Sequence, residues 1–177
     1  TTKKLDAYID VLQPEINEYI KRMDKSKIVE ACEVISESKR KHGRVHVTGV
    51  GKPSHVAEYI AALNSSVGTP TYYLDTIEAI HGSAGQVLPG DVVIAISNSG
   101  QTEELKRTVE SLKRLEAKII GVSGGENSWL KDQSTVFLLA GVNQEGDDLN
   151  KPPRISIIAE IIVLQCLSIL LQQERSE

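Results

Sequence analysis

Asp91-Val92-Val93-Ile94-Ala95-Ile96-Ser97-Asn98-Ser99-Gly100-Gln101-Thr102-Glu103-Glu104 decides the reading of this chain. Its first half is an apolar run rich in β-branched residues, as in a strand buried on both faces. The run passes directly into a hydroxyl-rich loop with one glycine, and then into a helical segment. A junction of this kind makes a phosphate site. Ser97, Ser99 and Thr102 can turn their hydroxyls onto one phosphate, and Gly100 lets the backbone turn closely. The helix start adds free N–H groups and positive dipole character. Ser-Asn-Ser-Gly is also good turn chemistry anywhere, so a plain strand-to-helix turn is the competing reading.

On either side of this stretch the same alternation repeats. Arg44–Thr48, Thr71–Leu74, Lys118–Ser123 and Thr135–Leu139 read as strands. Pro53 suits the first turn of a helix that reaches Val67 and ends at Gly68. A short helix or turn is expected over Thr76–His81, a helix over Thr102–Leu115 and one helical turn over Ser128–Lys131. A polar loop, Gly141–Pro153, leads into a closing helix over Ile155–Leu171. Near the start, Leu5, Ile9, Leu12, Ile16, Tyr19, Ile20 and Met23 recur at helical spacing, and Pro14 is expected to kink or split that segment. Asp24 or Ser26 can cap a second helix, carrying Ile28, Cys32 and Ile35 and stopping near Gly43. Five strands alternating with helices predict an α/β three-layer sandwich, a five-stranded parallel sheet flanked by helices, flavodoxin-like or Rossmann-like. Residues 1–43 are expected to pack as N-terminal helices on a unit spanning 44–177. Ligands of such sheets bind beyond the carboxyl ends of the strands. The loops Gly49–Ser54, Leu74–Gly82 and Ser97–Thr102 lie on that edge.

The 177 residues suit one domain of ordinary size. Lys and Arg number 20 against 24 Asp and Glu, interspersed, for a net charge of −4. This balance argues against a nucleic-acid footprint but leaves room for a small anionic ligand. Cys32 and Cys166 sit far apart in apolar helical contexts and read as two buried thiols of a reducing compartment. No secretory signal opens the chain, so a cytoplasmic protein is expected. The closing helix is apolar enough for a membrane span, but Glu160 and Gln165 interrupt it; it reads as a core or subunit-interface helix, and no membrane partner is expected.

Gly49-Val50-Gly51-Lys52 lacks the third glycine of a dinucleotide loop, since Ser54 stands there. As a P-loop it fails twice: residue 53 is proline, and His46 occupies the place of the first glycine. Lys52 is then either a solvated loop lysine or an electrostatic partner for substrate oxygens. His81 is a candidate proton shuttle. His42, His46 and His55, in a helix end, a strand and a helix, carry less interest. Gln144-Glu145-Gly146-Asp147-Asp148 reads as solvated loop charge. No spacing of His, Cys, Asp and Glu resembles a metal site, and neither metal nor cofactor is expected.

From about Arg44 to Leu171 the chain resembles a sugar isomerase (SIS) domain. Within that family it is most similar to the arabinose-5-phosphate isomerases and capsule-sugar isomerases. The resemblance rests on Val47–Lys52, Glu78-Ala79-Ile80-His81-Gly82 and Asp91–Gly100. It implies a five-stranded parallel sheet between helices and an assembly of two or four chains. It also implies that Ser97, Ser99 and Thr102 bind the phosphate of a sugar phosphate. Lys52, Glu104 and Glu145 match positions proposed as catalytic in those isomerases, and His81 matches their loop histidine. Three departures stand out. Pro53-Ser54 replaces the usual Ser-Gly, with Ser54 in a position to supply the displaced hydroxyl. Ser83 stands where aspartate is common. Arg154 opens the closing helix in place of a threonine and is a further candidate phosphate contact. Many family members continue into a segment with a histidine and paired CBS modules. An end at Glu177 implies a short form or a different enzyme.

The activity implied is aldose–ketose isomerisation through an enediol. Glu145 or Glu104 would be the base, Lys52 the electrostatic stabiliser, and His81 an aid to ring opening or proton transfer. A non-catalytic sugar-phosphate sensor and a lyase or deaminating variant on an amino-sugar phosphate are the alternatives.

Overall fold

The computed structural model describes residues 1–173. Residues 174–177, the end of the expected 44–177 unit, lie outside them. Five parallel strands form one sheet in the order β2-β1-β3-β4-β5. They are β1 (Val45–Gly49), β2 (Thr71–Tyr73), β3 (Val92–Ile96), β4 (Lys118–Ser123) and β5 (Val136–Leu139). β1 and β3 run in register along their whole length, from Val45 opposite Val92 to Gly49 opposite Ile96. Every residue of β1 and β3 is buried, as expected of central strands covered on both faces.

Side-chain alternation divides the core in two. Val45, Val47, Val92, Ile94, Ile96, Ile120 and Val122 meet α2 (Lys25–Arg40), α3 (Lys52–Ser66) and α7 (Ile155–Gln173). Val93, Ala95 and Ile119 meet the layer of α4 (Thr76–Ile80), α5 (Glu103–Arg114) and α6 (Trp129–Gln133). The chain is therefore a three-layer α/β sandwich. Its order places the switch in connection direction between β1 and β3, where such sheets bind ligands.

Three details differ from the sequence expectation. The first helix, α1 (Thr2–Arg22), continues unbroken through Pro14. Pro14 and Asp10, whose carbonyl loses its helical donor, are both exposed, so water can replace the missing bond. A single 3₁₀ turn over Ser83–Gln86 follows α4, where no element was expected. Asp24 rather than Ser26 is the cap of α2, accepting from the amides of Ser26 and Lys27. Cys32 is buried as expected, whereas Cys166 is only half-buried. The apolar stretch Ile155–Gln172 is long enough to cross a membrane, but half of it is buried against the rest of the protein. α7 packs on α1, α2 and α3.

The amino-terminal edge of the sheet is closed by a polar network. The Asp91 carboxylate accepts from the Arg44 amide (2.8 Å), the Leu88 amide (2.9 Å) and His46 Nε2 (2.9 Å). On the other side of the ring, His46 Nδ1 lies 3.1 Å from Gln86 Nε2. These contacts fix the neutral tautomer with its proton on Nε2. Burial, with an opposing pull from Asp91, holds the imidazole below its usual range. Burial also raises the Asp91 carboxyl, but the Leu88 and Arg44 amides and His46 outweigh it and leave the group lowered.

Candidate active site

The carboxyl-terminal edge is built by short connections from β1 and β3. Gly49 ends β1, and a Cβ there would lie 2.9 Å from the Pro53 backbone and 3.2 Å from the Ile96 carbonyl. Only glycine allows the start of α3 to approach the end of β3 this closely. Thr48 and Thr76, both buried, are hydrogen-bonded at 2.8 Å, and Thr76 also donates to the Gly49 carbonyl at 3.0 Å. This contact fixes the start of α4, and with it the loop to His81, against β1. Asp75 caps α4 through the amides of Ile77 and Glu78.

The 97–102 loop is held from within and from behind. Ser97 is buried; its hydroxyl accepts from the Gly100 amide (3.1 Å) and lies 2.9 Å from the Thr102 hydroxyl. Ser99 is exposed and accepts from the Gln101 amide at 3.1 Å. Behind the loop, the Gly124 amide donates to Asn98 O (2.9 Å) and the Leu130 amide to Gly100 O (3.1 Å). Gly100 has φ +64°, and a Cβ on it would sit 2.5 Å from Ser128 Cβ. Thr102 is the N-cap residue of α5, yet its side chain makes no capping bond, because the hydroxyl is turned to Ser97. The first-turn amides of α5 are thus left without a side-chain acceptor at the loop. The α3 N-cap, Gly51, has none to offer either. At α3, however, Pro53 has no N–H and the Ser54 amide donates to the Gly51 carbonyl at 3.0 Å. It is therefore the start of α5, at the end of β3, that presents an open first turn suited to a phosphate dianion.

The four expected catalytic residues fall into two groups. Lys52 and Glu104 lie in the first turns of α3 and α5, and His81 ends α4. All three are exposed, and none makes an ion pair or side-chain hydrogen bond among the described residues. Next to Glu104, by contrast, Glu103 is paired with Lys106 at 3.1 Å. Glu145 is different: the expectation of a solvated loop charge does not hold. It is 7% exposed, and Oε2 accepts from the amides of Arg154 (2.7 Å) and Ser156 (3.2 Å) at the start of α7. Oε1 makes no bond among the described residues.

Two further residues are already engaged. Ser54 donates to the Gly51 carbonyl at 2.5 Å, and none of its bonds reaches the 97–102 loop. Arg154 is paired with Asp147 at 2.9 Å. Among the described residues no three His, Cys, Asp or Glu side chains group as a metal would require. Sequence reasoning missed the braces of the two loops: Thr48 with Thr76, and Ser123, whose hydroxyl donates to Asn98 O at 3.3 Å, beside Ser128. For Thr48 and Ser123 a hydroxyl at the end of a buried strand was the available signal.

The model of the SIS domain matches residues 39–170, and the chain belongs to that family. Over 165 residues it is 34% identical to the arabinose 5-phosphate isomerase KdsD of Francisella tularensis, covering 93% of this chain and 50% of that protein. With the enzyme of the same name from Pseudomonas aeruginosa it shares 39% identity over 147 residues, 83% of this chain and 44% of the relative. The chain thus spans about half the length of the curated relatives it matches. Among solved structures, the Escherichia coli CFT073 protein c3406, in complex with a sugar phosphate, superposes with a TM-score of 0.89 at 28% identity. That likeness covers 97% of this chain and 89% of that one.

Proposed function

We propose that the protein is an aldose–ketose isomerase acting on a phosphorylated sugar of the arabinose 5-phosphate and ribulose 5-phosphate type. One observation carries this reading: a braced hydroxyl loop with uncapped helix amides sits beside a lysine and a carboxylate that no other residue occupies. The relatives named as arabinose 5-phosphate isomerases support the substrate class.

In this reading the phosphate is held by Ser99, Thr102, Ser97 and the α5 amides, a remote handle that fixes the reacting carbons. A carboxylate then removes the proton from the carbon beside the carbonyl while the carbonyl oxygen gains one, giving an enediol. The other hydroxyl then gives up its proton as a proton is returned to the former carbonyl carbon. We assign Glu104 or Glu145 as that base. Glu145 has one oxygen seated on helix amides and the other left over, which suits a positioned base. Lys52 faces the developing oxyanion, and its charge is not spent elsewhere. His81 assists ring opening. Ser54, held by Gly51, contributes to loop shape and offers the phosphate only an accepting oxygen unless it turns. We place the reaction in the cytoplasm, consistent with two cysteines far apart in the chain. We place it in a homodimer or homotetramer, consistent with Ile169, which α7 leaves exposed, and the half-buried Ile158, Ile162 and Leu170 of the same helix.

The test is an NMR assay of interconversion over a panel of pentose and hexose phosphates. Interconversion of one pair, lost in Lys52→Ala, is the expected result. Thermal stabilisation by a sugar phosphate with no turnover across the panel would replace the isomerase with a sensor.

A further inference from the structure

Three carboxyls surround the loop between β5 and α7, each in a different state. Glu15 of α1 accepts from the Asn143 amide at 2.9 Å. Glu145 accepts from two amides of the α7 start. Glu160, on α7 itself, has no exposed surface, and neither of its oxygens has a hydrogen-bond partner among the described residues. The Ser156 hydroxyl, one turn earlier on the same helix face, is equally buried and equally without a partner. A carboxylate in such a place carries a charge that neither solvent nor a donor stabilises. Burial, and after it the nearby charge of Glu145, push the Glu160 carboxyl up to about 8.

None of the groups around it pairs with either Glu160 oxygen among the described residues. α1 brings Tyr19, whose hydroxyl donates to Leu139 O at 2.9 Å, and Arg22, which donates to Gly141 O at 3.1 Å. Burial, then Cys166, raises the Tyr19 hydroxyl far above its usual range, so it stays neutral. The Glu15 carboxyl, like that of Glu145, accepts from a backbone amide and offers Glu160 no positive charge. α2 and α3 bury no charged side chain on this core; the one titratable group they bury is the Cys32 thiol.

We propose that Glu160 is a positioning residue that acts through Glu145. Its protonated carboxyl leaves Glu145 as the negative charge seated under the α7 start, and loss of that proton to solvent drives Glu145 off the Arg154 and Ser156 amides. The consequence for turnover rests on the isomerase reading above; the consequence for the folded state does not. Ser156, between the two carboxyls on the helix, takes part through its amide, which holds Glu145.

The experiment compares wild type with Glu160→Gln, a neutral side chain of the same shape, from about pH 5 to 9.5. A carboxyl raised in the folded state makes stability fall as pH rises from its unfolded value to about 8, then level off. The unfolding midpoint of wild type should show that fall relative to Glu160→Gln, in which it is absent. Turnover of arabinose 5-phosphate should drop in wild type about tenfold one pH unit above the midpoint and stay level in the variant. A purely structural Glu160 would shift the level of stability and leave the shape of both profiles unchanged, and parallel profiles overturn the proposal. If Glu160→Gln does not fold, Glu145→Gln decides: removing the neighbouring charge should move the end of the stability fall to lower pH, and an unmoved end overturns the proposal. Turnover absent from both proteins, with the stability difference intact, removes the isomerase reading and keeps Glu160.

Discussion

The two ends of the sheet carry similar side chains in opposite conditions. At the amino-terminal end, His46, Asp91, Arg44 and Gln86 are joined to one another and to the Leu88 amide, so that each oxygen of Asp91 has a donor. At the carboxyl-terminal end, His81, Glu104 and Lys52 have no side-chain partner among the described residues. Both ends hold a histidine, a carboxylate and a cation. What separates them is whether the polar groups are consumed within the fold. A satisfied network holds the structure together, whereas unspent groups beside a phosphate-sized set of donors are available to a ligand.

The widest separation between the ends should come from Lys52→Ala. An exposed lysine in a helix first turn contributes little to folding, so the unfolding free energy should change by less than about 0.5 kcal/mol. Turnover should fall by about 10²–10³, the usual loss on removing a group that faces a developing oxyanion. Steady-state kinetics beside a thermal melt check both halves. A variant that melts early and keeps its rate would reverse the assignment of the two ends.

Asp91→Ala should do the opposite. Removing the carboxylate orphans two amides and a buried imidazole, at a cost of about 3 kcal/mol in urea unfolding. The pH dependence sharpens the point. Asp91 and His46 both lie below their usual values in the folded protein, so their contribution is present above the unfolded value of each and is lost as pH falls through the folded one. For His46 that loss begins below 6.5, and for Asp91 below 3.8. Wild type should therefore lose stability on acidification through this range. Asp91→Ala should lose the part that begins below 3.8 and keep or steepen the part that begins below 6.5, because Asp91 holds the buried imidazole up. Turnover per folded molecule at neutral pH should stay near wild type.

Gly100→Ala tests the phosphate loop as a piece of backbone. The new Cβ would have to adopt φ near +64° and displace Ser128, and about 2 kcal/mol is expected, read by denaturant unfolding. The KM for a sugar phosphate should rise as well, since the loop amides move with Gly100.

This loop was readable from sequence because a strand, a turn and a helix start are neighbours along the chain, and so were Lys52 and the alternation that sets the fold. The engaged residues were not. His46 looked like any alternating strand position, because Asp91 stands 45 residues away. The Thr48–Thr76 contact exists only once β1 and α4 have been brought together across 28 residues. Glu145 looked solvated, since nothing local marks that the start of α7 will lie on its carboxylate, and Glu160 looked only like an interruption of an apolar helix. Pro14 was misjudged for the converse reason: a helix on the outside of the molecule can let water take the place of the bond that proline removes. Local junction chemistry can be read from the chain, whereas the state of a polar group depends on partners that only the tertiary structure supplies.

Ser54 offers the smallest and finest test of the difference between spent and unspent groups. It sits at the same edge as Lys52, two residues further on, and by position alone it would be a phosphate ligand. Its hydroxyl, however, is donated to the Gly51 carbonyl. A donor already used within its own loop adds little to a ligand unless the loop rearranges, so Ser54→Ala should raise KM by no more than about threefold, or ~0.7 kcal/mol. The same substitution at Thr102, whose hydroxyl shares a contact with Ser97 and can turn to a ligand without releasing a backbone group, should raise KM about tenfold. If Ser54→Ala proved the more damaging of the two, the Gly51 contact would belong to the empty site alone, and the phosphate would be drawn toward the start of α3 instead of α5.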